Sequence, residues 1–420
     1  MTKINTFRQV LLDQQREKDN ILVQNLVARQ EESYFDLDSH LAQIVIGVRR
    51  SGKSTICHKV LKQNSINYAY VNFDDERLVH LKTEELNGLL EALYMVYGDF
   101  KYLFCDEIQN IPSWFLFVNR LLRQNIRMVI TGSNAKLLSG ELSTHLTGRY
   151  HQIELFPFSF SEVLAYKKIS VDDDSTLGVA LRKAAFEEYM SFGGFPELFV
   201  VKNKKGYIRN LFDSILTRDI CQRFLVRYPE ALRKIADYLT DTVSSEINYR
   251  NLAHCFSFGS AHTSERYVDY LRQAYLLIGL QKFSFKSRER IHNEKNYVID
   301  NAFISTAKEG FLEQNYGWRL ENIVCIELLR RRNQSLHNVY FYKKGYEIDF
   351  VLVSDNKVVE LIQVSAEISA PKTFNRETNA LLRAAKELEC HKLTLITLHE
   401  DRVYCVDNQR IHIVSILKWL

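Results

Sequence analysis

Gln43 to Leu61 reads QIVIGVRRSGKSTICHKVL, and this stretch decides the fold. A short apolar run, Ile44 to Ile46, suits a buried parallel strand. Gly47, four further residues, and then Gly52, Lys53 and Ser54 complete the phosphate-loop pattern G-x-x-x-x-G-K-[ST]. The glycines let the backbone curl so that successive N–H groups point inward at an anion. Gly47, Val48, Arg49, Arg50, Ser51, Gly52, Lys53, Ser54 and Thr55 are the expected cradle. Lys53 is expected to reach the β- and γ-phosphates of ATP, and Ser54 to offer its hydroxyl to Mg²⁺. Ile56, Val60 and Leu61 follow at helical spacing, so a helix starts at the loop with its positive end facing the phosphates. A chance glycine-rich turn would lack the strand before and the helix after.

The neighbouring segments read as the rest of a nucleotide core. Tyr68 to Phe73 (YAYVNF) patterns as a second strand, followed by Asp74, Asp75 and Glu76 in a solvated turn. Leu81 to Tyr97 patterns as an amphipathic helix. In KYLFCDEIQNI, Tyr102 to Cys105 is a buried strand ending in Asp106 and Glu107, the Walker-B arrangement. Asp106 at the strand's end can hold Mg²⁺ through water, and Glu107 can polarise the attacking water. Arg127 to Thr131 (RMVIT) is a further strand ending in GSN. Ser133 or Asn134 would sit between the metal-bound acid and the γ-phosphate; Ser133 is preferred, and Thr131 is close enough to compete. Ahead of the loop, residues 5–30 pattern as a helix on Val10, Leu11, Ile21, Leu22 and Leu26. It either lies over an adenine base or packs on the sheet.

Composition bounds the rest. A chain of 420 residues suggests two or three domains, and 46% hydrophobic with 25% charged content is that of a globular protein. No apolar run approaches the ~18 residues of a membrane span. The N-terminal MTKINTFRQVLLDQQREKDN is too polar for a secretory signal. Seven scattered cysteines without a C-x-x-C pair read as reduced thiols in a cytoplasmic protein. A net charge of +4 permits nucleic-acid contact without arguing for it.

GVRRSGKST, YVNFDDE, FCDEIQN, TGSNAKLLS, LTGRYHQIEL and FPFSFSEVL together resemble a family of prokaryotic AAA+-like ATPases. That family carries a C-terminal domain of uncharacterised function related to restriction-endonuclease folds. The resemblance implies an α/β fold with a parallel P-loop sheet as its core. It implies an ATPase domain over residues 1–160, a helical and winged-helix domain over 161–300, and an endonuclease-like domain over 301–420. Ser133 takes the sensor position of such ATPases. Arg149, in LTGR, matches a family arginine placed to approach a γ-phosphate in its own subunit or in that of a neighbour in a homo-oligomer, where it would stabilise transition-state charge. GGFPE, Gly193 to Glu197, is a shared motif from which no chemistry follows.

Beyond the core, Tyr207 to Phe224 is a helix bearing Arg209, Arg218 and Arg223, read as a solvated face. Asn248 to Phe256, a turn at Phe258 to Ala261, and Ser264 to Ala274 capped by Thr263 pattern as a helix-turn-helix. A hairpin with a basic tip at Lys286, Arg288 and Arg290 follows as a wing. In a DNA reader Ser264, Arg266 and Tyr267 would face the major groove; in many ATPases such a module packs or levers instead. In the C-terminal third, Glu347 and Asp349 alternate along one strand, where the family resemblance places an acid. The next strand should read (D/E)-x-K, to complete a Mg²⁺ site. Gln363 and Ser365 stand in those positions instead, so the nuclease chemistry is degenerate unless Glu360 or Lys372 rescues it. The leading expectation is an ATPase or ATP-driven switch that passes its nucleotide state through the winged-helix middle to the nuclease-like C-terminal domain, with an unidentified protein partner. The rivals are an interaction or DNA-binding protein with ATP as structural ligand, and an ATP-regulated nuclease.

Overall fold

The computed structural model describes residues 3–22, 26–133, 146–284, 293–304, 316–406 and 408–420. The chain divides into two compact units, one of Met1–Phe156 with Gln273–Tyr275, the other of Pro157–Arg272 with Leu276–Leu420. Apart from Gln273–Tyr275, the segments 161–300 and 301–420 therefore fall in one unit.

The first unit is built on a five-stranded parallel sheet of β1 (Ala42–Ile46), β2 (Tyr68–Asn72), β3 (Tyr102–Asp106), β4 (Arg127–Gly132) and β5 (Tyr150–Glu154). Their order is β2-β3-β4-β1-β5. Every residue of β1 is buried, as a strand covered on both faces requires. Helix α2 (Lys53–Gln63) returns from β1 and buries Ile56, Val60 and Leu61 against Val45, Val129 and Ile153. Helices α3 (Leu86–Tyr97) and α4 (Trp114–Arg123) make the other crossovers. The order brings the C-terminal ends of β3, β4 and β1 side by side, with Val45 paired to Thr131 and Cys105 to Ile130.

Helix α1 (Lys3–Leu22) ends earlier than the apolar pattern suggests, and Gln30–Tyr34 forms a short 3₁₀ turn instead. Of the two readings of α1, the structure shows packing on the sheet. Buried Gln14 lies along β2, its amide nitrogen donating to Asn72 O at 2.9 Å and its oxygen accepting from Asn72 N at 2.9 Å.

The second unit begins with helices Phe160–Lys167 and Thr176–Phe192, the first capped by Ser159, which accepts from Glu162 N. Helices Pro229–Asp241, Tyr249–Cys255 and Ala261–Gln273 precede the antiparallel pair β6 (Leu277–Gln281) and β7 (Glu294–Val298). Asn248 caps the second of these as a side-chain acceptor for Arg250 N and Asn251 N. The third starts at Ala261, three residues before the expected Ser264. Helix Tyr316–Ser335 and a six-stranded sheet complete the unit. Its strands are β8 (Asn338–Lys343), β9 (Glu347–Ser354), β10 (Lys357–Val364), β11 (Leu393–Thr397), β12 (Arg402–Val406) and β13 (Gln409–Ser415), in the order β12-β13-β11-β10-β9-β8. Helix Pro371–Glu387 crosses from β10 to β11, which run parallel, and buries Leu381 and Ala384.

Gly193 and Gly194 have a structural cause. Asp300 is buried with its carboxylate against this backbone, accepting from Gly194 N and Ala302 N at 2.8 Å each. Gly193 sits at φ +76°, and a Cβ there would lie 1.5 Å from Asp300 Oδ1. Burial lifts the Asp300 carboxyl to about 7, although both backbone donors favour its charge.

Gly193→Ala should destabilise the second unit by about 3 kcal/mol or more, read by denaturant unfolding, because neither the backbone angle nor the carboxylate can yield cheaply. The folded chain holds the Asp300 proton more tightly than the unfolded chain does. Stability should therefore fall as pH rises from about 4 through about 7, by about 1–3 kcal/mol, and Asp300→Asn should remove that component of the pH dependence.

Candidate nucleotide site

The loop predicted to bind phosphate leaves β1 at Gly47, whose φ is +149° and whose missing Cβ would lie 2.1 Å from Leu155 O. No side chain fits there, because β5 runs alongside. Arg50 at φ 66° and Gly52 at φ 97° complete the curl, and α2 starts at Lys53. Ser51 and Lys53 are buried. The Lys53 ammonium folds back over the loop, donating to Gly47 O at 3.2 Å and Val48 O at 3.0 Å.

Arg29 supports the loop from outside the motif. It is buried, with Nη1 donating to Ser51 O at 3.2 Å and Nη2 to Phe156 O at 2.7 Å. Its own N–H donates to Glu32 Oε1 at 2.6 Å, and Glu32 also pairs with Lys59 of α2 at 2.6 Å. The segment before β1 is thus tied to the middle of the loop, to the chain after β5 and to α2. No local pattern in the sequence marks Arg29's hold on the loop, since the carbonyls of Ser51 and Phe156 come from distant segments.

Asp106 is the centre of the site. It is buried at the end of β3, and Ser54 Oγ donates to its Oδ1 at 2.9 Å. Thr131 Oγ1 donates to the same oxygen, and Tyr70 OH to Oδ2 at 3.3 Å. Burial, and then the neighbouring charge of Glu107, raise the Asp106 carboxyl to about 6, against the bonds from Thr131 and Ser54. Ser54 and Asp106, expected to hold the metal, are thus brought into direct contact. Both offer oxygen atoms, the donor type that Mg²⁺ takes alongside water and phosphate.

Glu107 occupies the left-handed region at φ 51°, just past the end of β3. Its N–H donates to Thr131 Oγ1 at 2.9 Å. Gln109 Nε2 donates to the Glu107 carboxylate and lies 3.3 Å from Ser133 Oγ. Thr131 therefore joins Asp106 to Glu107, while among the described residues buried Ser133 is linked to Glu107 through Gln109. Asn134 lies outside the described residues.

Arg149 does not join this cluster. Its carbonyl accepts from Ala42 N at 3.0 Å, at the N-terminal ends of β5 and β1, and its side chain is exposed. Five residues of β1 separate it from the loop, roughly 15 Å of strand. In that register the Arg149 backbone lies at the end of β1 opposite its own subunit's loop.

Two other groups of predicted residues part company. Ser264 and Tyr267 are buried in the core of the second unit, and Arg266 alone of that trio is exposed, 3.3 Å from His262. The three side chains do not share an outward face because the helix is phased with Ser264, Tyr267, Val268 and Leu271 inward. Lys286, Arg288 and Arg290 lie outside the described residues. On β10, Glu360 accepts from Thr394 at 2.6 Å and pairs with Lys392 at 2.7 Å. Strand alternation puts it on the opposite face from Gln363. Lys372 is exposed on the first turn of its helix. Among the described residues no group of three or more His, Cys, Asp or Glu is arranged to hold a metal ion.

Residues 39–164 match the AAA domain family, and residues 183–313 and 316–419 match two domains of unknown function. The uncharacterized protein MJ1544 of Methanocaldococcus jannaschii is 33% identical over 393 residues, covering 90% of this chain and 87% of that protein. An uncharacterized protein of Haemophilus influenzae is 32% identical over 401 residues, covering 91% and 95%. Among solved structures, Cdc6p from Pyrobaculum aerophilum aligns over 63% of this chain and 91% of its own, at 16% identity and a TM-score of 0.27. The RuvB Holliday junction branch migration motor of Thermotoga maritima aligns over 60% and 89%, at 18% identity and a TM-score of 0.28. Likeness at that level carries nothing about what this chain binds. The two relatives match along nearly the whole chain, and the chain belongs to their family, with an AAA domain over residues 39–164.

Proposed function

We propose that the protein is an ATPase, or ATP-driven switch, that hydrolyses ATP to ADP and phosphate in the first unit. The observation that carries the reading is the continuous chain Ser54–Asp106–Thr131–Glu107 beside the loop. In this reading Lys53 swings from the carbonyls of Gly47 and Val48 onto the β- and γ-phosphates. The N–H groups from Val48 to Thr55 cradle the phosphate oxygens. Ser54 and Asp106 hold Mg²⁺, which would neutralise phosphate charge. Glu107, positioned by Gln109, takes the proton of the attacking water. Ser133, with Gln109, orders that water's side of the site. Arg149 acts, if at all, on a neighbouring copy's phosphate, since its own site lies a strand length away.

The second unit receives the nucleotide state. The three-helix segment and the β6–β7 pair serve as a packing module in the manner of a winged helix. A DNA-reading role is disfavoured because Ser264 and Tyr267 are buried and the exposed side of their helix carries Glu265 beside Arg266. The C-terminal sheet keeps a nuclease-like layout without the chemistry: Asp349 stands on β9, but Gln363 and Ser365 replace the acid and lysine on β10. A docking surface for a protein partner is the role this leaves. The free thiols of all seven cysteines accord with a reducing, cytoplasmic setting.

Lys53→Ala should weaken nucleotide binding or turnover by at least about tenfold, equal to ~1.4 kcal/mol. Glu107→Gln should leave binding intact and slow phosphate release roughly 10²-fold or more. Turnover unchanged in both variants would end the ATPase reading; binding without turnover in the wild type would favour nucleotide as a structural ligand. For Arg149, mixing Arg149→Ala subunits with Lys53→Ala subunits should restore part of the lost turnover if the arginine serves a neighbour. A mixture no more active than its components would remove that role.

A further inference from the structure

The C-terminal domain holds a cluster that its nuclease-like layout would assign to a divalent cation. A pocket of about 590 Å³ is lined by Glu321 of helix Tyr316–Ser335, Glu347 and Asp349 of β9, Gln363 of β10, and Glu377 and Arg376 of helix Pro371–Glu387. It opens where β9 and β10 part: their backbone ladder ends at the Phe350–Ile362 pair. Side chains take over beyond that point. Gln363 Oε1 accepts from Asp349 N at 3.1 Å, and Val364 N donates to Asp349 Oδ2 at 2.8 Å. Gln363 Nε2 donates to Glu377 Oε2 at 2.6 Å. The amide is therefore engaged at both ends, and one oxygen of Asp349 is already committed.

A lysine lies behind these carboxylates. Lys295 of β7 is 2% exposed, and its Nζ lies 2.6 Å from Glu347 Oε1, 3.3 Å from Glu321 Oε1 and 3.7 Å from Asp349 Oδ1. Tyr297, two residues along β7, donates to Glu321 Oε1 at 2.7 Å. Burial opposes the charge of Lys295, yet Glu321, Asp349 and Glu347 hold it above the ordinary lysine range. The residues present do not fit a metal. A dication bound between the same oxygens would stand within about 3 Å of a buried ammonium, where repulsion in a poorly hydrated site is severe.

The geometry points to Lys295 as a built-in replacement for that cation, making the cluster an ionic joint that fastens β7 to the C-terminal sheet. The inference rests on the reading of this domain as catalytically silent and supplies its physical cause. Other contacts place the same joint. Phe283, just after β6, donates its N–H to Phe341 O of β8 at 2.6 Å, and Lys343 pairs with Glu246, whose backbone bridges to Lys295. Three carboxylates converging from a helix and a strand repel one another; an ammonium carried on a third element offsets part of that repulsion and fixes that element's register. The joint holds without any metal supply.

The test is Mn²⁺ binding to the full chain without nucleotide, followed by electron paramagnetic resonance. Wild type and Asp349→Asn should bind Mn²⁺ identically, because no Asp349-dependent site is open. Lys295→Met removes the ammonium at similar volume and should create one, at least about 100-fold tighter than any Asp349-dependent binding in the wild type. Lys295→Arg should not, and adding Asp349→Asn to Lys295→Met should abolish the new site. An Asp349-dependent Mn²⁺ site in the wild type would overturn the replacement, as would a folded Lys295→Met that gains none. If Lys295→Met fails to fold, the comparison of wild type with Asp349→Asn decides alone. Incubation with plasmid, single-stranded DNA and RNA in Mn²⁺ separates the two readings. Asp349-dependent cleavage would overturn both; an Asp349-dependent site without cleavage would overturn only the replacement and leave the silent domain standing.

Discussion

A buried carboxylate at the end of a parallel strand governs the first unit. Asp106 lies out of water beside a second acid, and an isolated charge there would be costly. Its donors come from different elements: Ser54 from α2, Thr131 from β4 and Tyr70 from β2. Each bond requires its strand or helix to end at the right height, so satisfying Asp106 fixes the register of β2, β3 and β4 and the start of α2. The site and the sheet are thus one constraint. A cation arriving at Asp106 would relieve its raised carboxyl and loosen the hold on Thr131, which also carries the N–H of Glu107. In the proposed ATPase that shared hydroxyl would couple metal occupancy to the position of Glu107.

What the sequence made legible was local. The loop, the apolar strand ending in two acids, and the glycine pair each declare themselves within a dozen residues, because backbone conformation and strand burial dictate their composition. Ser54 beside Asp106 followed from that order. What stayed hidden depends on side chains meeting from afar. Arg29 meets Ser51 and Phe156, and Gln109 meets Ser133, through the fold alone. Which of Thr131 and Ser133 meets Asp106 depends on the β3–β4 register, which no pattern of apolar residues fixes.

The second unit shows the same limit more sharply. The two helices were readable, but the inward phase of Ser264 and Tyr267 was not, because both residue types occur on either face of a helix. The departure of Gln363 and Ser365 from an acid and a lysine was plain in the sequence. That Gln363 is bound at both ends, and that a lysine enters from a strand 68 residues earlier than Gln363, needed the fold. Buried ionisable groups here come with partners from other elements, Lys295 with its carboxylates and Asp300 with two backbone donors. Each set fixes how elements distant in the chain align.

Gln14 has a consequence for how the molecule behaves among its own copies. β2 is the last strand on its side of the first sheet, and a free strand edge invites pairing with another chain. The Gln14 amide imitates one residue of a further strand, satisfying both the N–H and the carbonyl of Asn72. Because the imitation ends after one residue, it cannot be extended, and the helix carrying it covers the edge. Helix α1 is thus a guard against edge-to-edge aggregation. A chain trimmed or nicked within its first 22 residues would keep its phosphate loop while presenting an open template to its neighbours.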